Sequence, residues 1–311
     1  MQNILITGGS GLVGKRLTAM LLEKGYAVTI LTRNKNTTSN HPSVVCSVWD
    51  AEKQIIDASV FANADAIINL AGAGVADKRW TEERKKEIVD SRVFSGNCIV
   101  NALQKMPNKI TTVISASAIG WYAPNEHTTK NYQEEEPANT DFLGETCKKW
   151  EQSVHPITLL KQRLVKLRIG IVLSKDGGAL KEFLKPLQMG VATILGNGKQ
   201  QISWIHIDDL CSMFIAALEN EKMNGVYNAV APDVTTNGKL NLSLAKKLRS
   251  KFYVPIHVPK FLLKLVLGEL SVEVLKSSNI SCKKIQDAGF KFLYPNIDMA
   301  LDKEVAALKG K

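Results

Sequence analysis

The sequence has no apolar run approaching the roughly 18 residues of a membrane-spanning helix, and no basic, signal-like leader precedes its first apolar segment. A membrane role and secretion are therefore not expected. Cysteine is scarce. Cys46, Cys98, Cys147, Cys211 and Cys282 are odd in number, scattered, and nowhere spaced as CxxC. This excludes a disulfide framework and a zinc site, and no metal is expected. Aromatic residues make up 6% of the chain, basic residues are spread singly, and no nucleic-acid-binding motif occurs, so no nucleic-acid partner is expected. Low-complexity linkers and internal repeats are also missing. These absences point to a reduced, cytoplasmic compartment, and a monomer or a homodimer is expected.

What is present is ordinary for a globular chain of 311 residues: 45% hydrophobic and 23% charged residues, enough to bury a substantial core. The net charge of +10 is unevenly placed. Residues 1–155 balance, with 17 basic and 17 acidic side chains, whereas residues 236–311 hold 14 basic and 6 acidic ones. A solvated helical surface accounts for that excess, as does a lid that attracts an anionic small-molecule substrate.

Along the chain, Ile4–Ile6 reads as a buried strand that ends in the glycine cluster Gly8, Gly9, Gly11, Gly14. Apolar residues then recur at helical spacing from Leu12 to Glu23, and Ala27–Leu31 is a second strand, closing a βαβ unit. Ser43–Val48, Ala66–Leu70, Thr111–Ser115 and Leu164–Ile169 read as further strands with helical patterns between several of them. The expectation is an α/β fold, a doubly wound parallel Rossmann sheet, with a smaller, mostly helical C-terminal domain. Residues 1–235 would be the nucleotide-binding domain, with 178–205 contributing to the substrate side, and 236–311 the substrate or lid domain.

Thr7-Gly8-Gly9-Ser10-Gly11-Leu12-Val13-Gly14 sits between a strand and a helix. Such a loop needs glycine for the tight turn, for backbone approach to a pyrophosphate, and for close packing of helix on strand. The helix N-terminus then offers free N–H groups to phosphate. The end of the second strand selects between the nicotinamide dinucleotides. An NAD site wants a carboxylate there, and none stands between Glu23 and Asp50. Thr32-Arg33-Asn34-Lys35 occupies the place, and a guanidinium pairs with a 2′-phosphate. NADP is the expected cofactor, with a plain surface arginine as the alternative reading of Arg33.

The glycine loop resembles the TGxxGxxG fingerprint of extended short-chain dehydrogenases/reductases. Asn69-Leu70-Ala71-Gly72 resembles their NxAG-type motif, and Trp204–Leu210 their IHVxDL segment. Ser115–Tyr122 and the tail from Pro259 to Pro295 resemble a narrower branch, the epimerase/dehydratase-like oxidoreductases that carry a C-terminal domain of unknown function. The resemblance implies that Gly8, Ser10, Gly11, Leu12 and Val13 line the pyrophosphate and that Arg33 with Asn34 holds the 2′-phosphate. It implies adenine contact for Asp50, whose plainer reading is a helix cap. Leu70, Ala71 and Gly72 would line the nicotinamide ribose, Ser115 would also belong to the cofactor site, and Ser117, just past the fifth strand, would be the catalytic serine.

The chain departs from the family at the YxxxK helix, where a tyrosine exchanges a proton and a lysine lowers its pKa. Aligned on Glu151, the two positions hold Leu143 and Cys147, and no YxxxK occurs anywhere. The position of the family's relay asparagine falls near Arg92. Tyr122 becomes the first candidate for proton donor. His206, the Glu134-Glu135-Glu136 run and Cys147 carry plainer structural readings, and Lys148 with Lys149 reads as a solvated face. Gln200-Gln201-Ile202-Ser203 stands where sugar epimerases commonly hold a diphosphate with arginine. The expectation is an NADP(H)-dependent oxidoreductase or epimerase of unknown substrate. The alternative is a catalytically silent NADP(H)-binding regulatory or scaffold protein.

Overall fold

Each apolar run that ends in a glycine or polar turn becomes a strand whose C-terminal end faces one edge of the molecule. The structure, a computed structural model, describes residues 2–34, 39, 41–125 and 130–310. The first half contains β1 (Asn3–Thr7), α1 (Leu12–Glu23), β2 (Ala27–Thr32), β3 (Val44–Val48), α2 (Ala58–Ala62), β4 (Ala66–Asn69), α3 (Glu82–Lys105), β5 (Thr112–Ala118) and α4 (Phe142–Val154). The second half continues with β6 (Arg163–Ile169), β7 (Ile171–Ser174), α5 (Gly178–Gln188), β8 (Val191–Leu195), β9 (Gln201–Ile202), β10 (Trp204–His206), α6 (Ile207–Glu219) and β11 (Gly225–Ala229). It ends with β12 (Thr235–Thr236), α7 (Asn237–Arg249), β13 (Val254–Val258), α8 (Lys260–Leu267), α9 (Leu270–Leu275), α10 (Lys283–Asp287) and α11 (Ile297–Lys309).

Seven strands form one sheet in the order β3-β2-β1-β4-β5-β6-β11, with every pair parallel. The chain starts in the middle, winds outward to β3, and returns past β1 to build the other half, which is the doubly wound order. One face buries Ile4, Ile6, Leu17, Leu21, Leu210 and Phe214 beneath α1 and α6. The other buries Leu5, Ile67, Ile99, Leu103 and Val113 beneath α2 and α3. Both faces are covered, so the central strands β1 and β4 are buried continuously along their apolar residues and not in alternation.

A second core combines Leu180, Leu184, Leu187, Ala192 and Trp204 with Leu240, Leu244, Ile297, Ala300 and Leu301. It draws on both sides of residue 235, so α5, α7 and α11 pack as one layer while β11 returns to the main sheet. The tail is mostly helical as expected, with one exception. The run Val254–Val258 pairs in parallel with β8, because its valine and isoleucine residues suit a strand and Pro255 and Pro259 oppose a helix. Beyond it, α8 and α9 approach the sheet's C-terminal edge, where Leu267, Leu270 and Val274 cluster with Val75, Trp80, Ile88, Phe142 and Leu143. Among the described residues no helix is long and apolar enough to cross a membrane.

Candidate functional site

Asn69 is fully buried at the end of β4 and ties three strands together. Its Oδ1 accepts the Thr7 hydroxyl at 2.7 Å and the Ser95 hydroxyl at 2.6 Å, while its Nδ2 donates to Ser115 Oγ at 3.4 Å. Thr7 Oγ1 in turn accepts the backbone N–H groups of Leu70 and Ala71, each at 3.1 Å. The network fixes the strand ends from which the glycine loop and the Leu70–Gly72 segment emerge. Ser115 belongs to it and is buried: its hydroxyl also donates to Ala116 O at 3.1 Å.

The glycines of the loop are required by space. Gly8 has φ +69°, and a Cβ there would lie 2.8 Å from the Leu70 carbonyl carbon; a Cβ on Gly14 would lie 2.6 Å from Gly9 Cα. Gly11 caps α1 without a side-chain hydrogen bond, so the first-turn N–H groups beside exposed Ser10 remain directed at the edge. Leu12 and Val13 are half-buried beneath them. This cradle fits a pyrophosphate.

At the end of β2, Arg33 and Asn34 are both exposed, and the Asn34 N–H donates to Thr32 Oγ1 at 3.2 Å. Lys35 lies outside the described residues. Asp50 does two things already: its Oδ1 accepts the Lys53 N–H at 3.0 Å and its Oδ2 lies 3.5 Å from Lys53 Nζ. The backbone hydrogen bond from Lys53, with the charge of the same residue, holds its carboxyl below the usual range. Leu70 and Ala71 are half-buried and Gly72 is exposed, so this segment lines the open edge.

Ser117 and Tyr122 come together, though in the interior. β5 runs to Ala118, longer than the sequence pattern implies, and pairs Ser117 with Arg168 of β6. Ser117 Oγ donates to Glu151 Oε1 at 2.8 Å, and Arg168 donates to the same carboxylate from Nε at 2.8 Å and Nη2 at 3.2 Å. Burial pushes the Glu151 carboxyl up, but the hydrogen bonds and charge of Arg168, with Lys166 at 3.3 Å, outweigh it and hold the group below the usual range. Arg168 Nη1 also reaches Tyr122 Oη at 2.9 Å, and Tyr122 donates to Asn228 Oδ1 at 2.6 Å. Tyr122 is fully buried, and desolvation pushes its phenol to about 12. In this position it acts as a strut between β5 and β11. Tyr122→Phe should lower stability by about 1–3 kcal/mol, since Arg168 and Asn228 each lose a buried partner, and leave cofactor affinity unchanged. Thermal denaturation beside a cofactor titration checks this; lost turnover at unchanged melting temperature would return Tyr122 to the proton path.

The other candidates are also committed. Glu134 accepts the Asn228 N–H at 2.8 Å and is buried, which raises its carboxyl. His206 caps α6, accepting the Asp208 N–H through Nδ1 at 3.1 Å, and its Nε2 meets Glu304 of α11 at 2.8 Å. Lys148 lies 3.6 Å from Glu145 and, like Lys149, is exposed. The basic end of α7 points away from the cleft: Lys247 pairs with Asp302 of α11 at 2.6 Å, and Arg249 donates to Leu187 O at 2.9 Å.

At the YxxxK positions, Leu143 packs within the α8–α9 cluster, and the Cys147 thiol, buried and pushed to about 12 by desolvation, donates to Ala118 O at 3.5 Å. Arg92 of α3 lies beside them. Its buried guanidinium donates to Ala73 O at 3.0 Å and Ile88 O at 2.8 Å and stacks over Trp150 at 4.9 Å. Sequence reasoning placed Arg92 but missed the Glu151–Arg168 pair and the Glu304 contact. Those join residues 17 and 98 positions apart, with no local pattern between them.

The model of the NAD dependent epimerase/dehydratase family matches residues 4–148 and 172–229, and a domain of unknown function, DUF1731, matches residues 258–304. The chain is 35% identical over 306 residues to epimerase family protein SSP1921 of Staphylococcus saprophyticus, covering 97% of this chain and 99% of that one. It is 34% identical to the chloroplastic epimerase family protein SDR39U1 homolog of Arabidopsis thaliana, with 96% and 86% covered. Among solved structures, human epimerase family protein SDR39U1 (isoform 2), crystallised with NADPH, superposes with a TM-score of 0.85 at 27% identity, covering 98% of this chain and 99% of that one.

Proposed function

The chain belongs to the NAD dependent epimerase/dehydratase family, and on that premise we propose that it is an NADP(H)-dependent oxidoreductase that reduces a small carbonyl substrate. The observation that carries the cofactor choice is the exposed Arg33 at the end of β2, where no carboxylate stands between Glu23 and Asp50. Gly8, Ser10, Gly11, Leu12 and Val13 would hold the pyrophosphate, Arg33 and Asn34 the 2′-phosphate, and Leu70–Gly72 the nicotinamide ribose. The NADPH bound by the human relative supports the same choice. When bound, the cofactor supplies a hydride at the C-terminal edge of the sheet.

Reduction is preferred over epimerisation because hydride transfer to a carbonyl consumes a proton and is the direction neutral pH favours; without a free acid–base side chain that proton comes from water, and the reverse reaction returns it there. Ser117, Tyr122 and Cys147 are all buried and hydrogen-bonded, and burial raises both the phenol and the thiol. What these residues do is hold the strand ends in place, and Leu143 with the α8–α9 cluster shields the cleft with apolar surface.

That same burial supports a second reading, a regulatory protein that binds NADP(H) without turnover. A panel of aldehydes, ketones and oxo acids, followed by NADPH absorbance, separates the two. The expected result is oxidation of NADPH with at least one carbonyl class at neutral pH. Tight NADPH binding with no turnover on any class would favour the second.

A further inference from the structure

The replacement of the family's lysine by Cys147 removes a positive charge from α4, and the fold holds another beside it. Arg92 is nine-tenths buried and makes no ion pair among the described residues. Its guanidinium lies against Gly72, so that a Cβ there would stand 3.1 Å from Arg92 Cζ. Gly72 follows the C-terminal end of β4, the edge at which open α/β sheets bind their ligands. Desolvation lowers the pKa of Arg92, yet guanidinium stays protonated in proteins. A buried cation without a counter-charge is unfavourable for the fold, and it imposes a fixed field on whatever lies next to it.

We propose that Arg92 supplies from α3 the positive charge that the family places on α4, and that this charge faces the nicotinamide end of the cofactor, favouring the uncharged reduced ring over the cationic oxidised one. Two departures from the family pattern, cysteine at the lysine position and Arg92 near the position of the relay asparagine, then form one relocation of charge between facing helices. The proposal rests on the NADP(H) reading above. It assigns Arg92 to cofactor redox preference and not to proton transfer, for which its pKa is too high.

The test compares the dissociation constants of NADPH, NADP+ and adenosine 2′,5′-bisphosphate, which lacks the nicotinamide. Arg92→Met is expected to narrow the preference for NADPH over NADP+ by about tenfold, the effect of one charge several ångströms from the ring in a partly buried site. The bisphosphate should bind unchanged. Arg92→Lys should keep most of the preference, and the double variant Arg92→Asn/Cys147→Lys should restore it. An unchanged preference in Arg92→Met overturns the proposal, and so does a parallel weakening of all three ligands, which marks a purely structural arginine. Should Arg92→Met fail to fold, the lysine and double variants decide: loss of preference in both overturns it. Absence of binding of any of the three ligands to the wild-type chain overturns the cofactor reading itself.

Discussion

Glu151→Ala is expected to destabilise the protein by about 3–5 kcal/mol, the usual loss when one member of a buried ion pair is removed. The substitution strands Arg168, which keeps its charge, and leaves Lys166 and Ser117 without their shared acceptor. For a chain of this size the melting temperature should fall by on the order of 10 °C. Glu151→Gln should also be destabilising, since it keeps the acceptor for Ser117 and deletes the charge. The double variant Glu151→Gln/Arg168→Met should be less damaging than the two single losses added together, because it leaves no uncompensated guanidinium. The pH dependence has a definite sign. The folded-state pKa of Glu151 is depressed, so its contribution is complete above the ordinary glutamate pKa of about 4.3 and is lost as pH falls through the folded value. Wild type should therefore lose stability on acidification below about pH 4.5 more steeply than Glu151→Gln. Melting curves from pH 3 to 7 check this, and equal slopes for the two proteins would show that the pair is not coupled to folding.

The nucleotide-binding half was legible because its signals are local. Strand, glycine loop and helix follow one another within the first 32 residues; Gly14 answers a clash within the loop and Gly9 one with Ile30 of β2, while only Gly8 answers a distant one, with Leu70 past β4. The same holds for α6, whose apolar period and acidic first turn stand plainly in the sequence. The polar interior was not legible. Ser117 read as a residue at the rim because the strand pattern fades after Ser115, yet β6 extends the pairing to Ala118 and turns Ser117 toward Glu151. Tyr122 stood as the first candidate for proton donor because the YxxxK pair is missing and it follows Ser117 closely. Its hydroxyl is instead claimed by Asn228, 106 residues away, which no spacing rule anticipates. β13 was hidden by the helical character of its neighbours and is held by β8 through tertiary pairing.

Two bases of the C-terminal region have structural partners of the same kind. Lys247 and Arg249 tie α7 to α11 and to the end of α5, which makes their charge structural. The cations placed at the open edge, Arg33 and Arg92, stand in the half of the chain whose net charge is zero. Overall charge was therefore a poor guide to the site, and the local environment of single residues was the better one.

Cofactor choice has the second large expected effect, and its proposed cause is a single side chain. On that reading, a 2′-phosphate facing Arg33 would gain a charge-assisted hydrogen bond that a 2′-hydroxyl cannot match, while the rest of the dinucleotide would be held alike in both cofactors. Removing the guanidinium should affect NADPH alone, by about a hundredfold at low salt, and less as salt screens the exposed pair. Gly8→Val should instead abolish binding of both cofactors, since its side chain meets the Leu70 carbonyl and strains a positive φ. The decisive measurement is a titration of NADPH and NADH against the wild-type chain and Arg33→Ala. The account predicts that wild type binds NADPH far more tightly than NADH and that Arg33→Ala erases most of the difference by weakening NADPH. Equal affinities in the wild type, unchanged by the substitution, would contradict it.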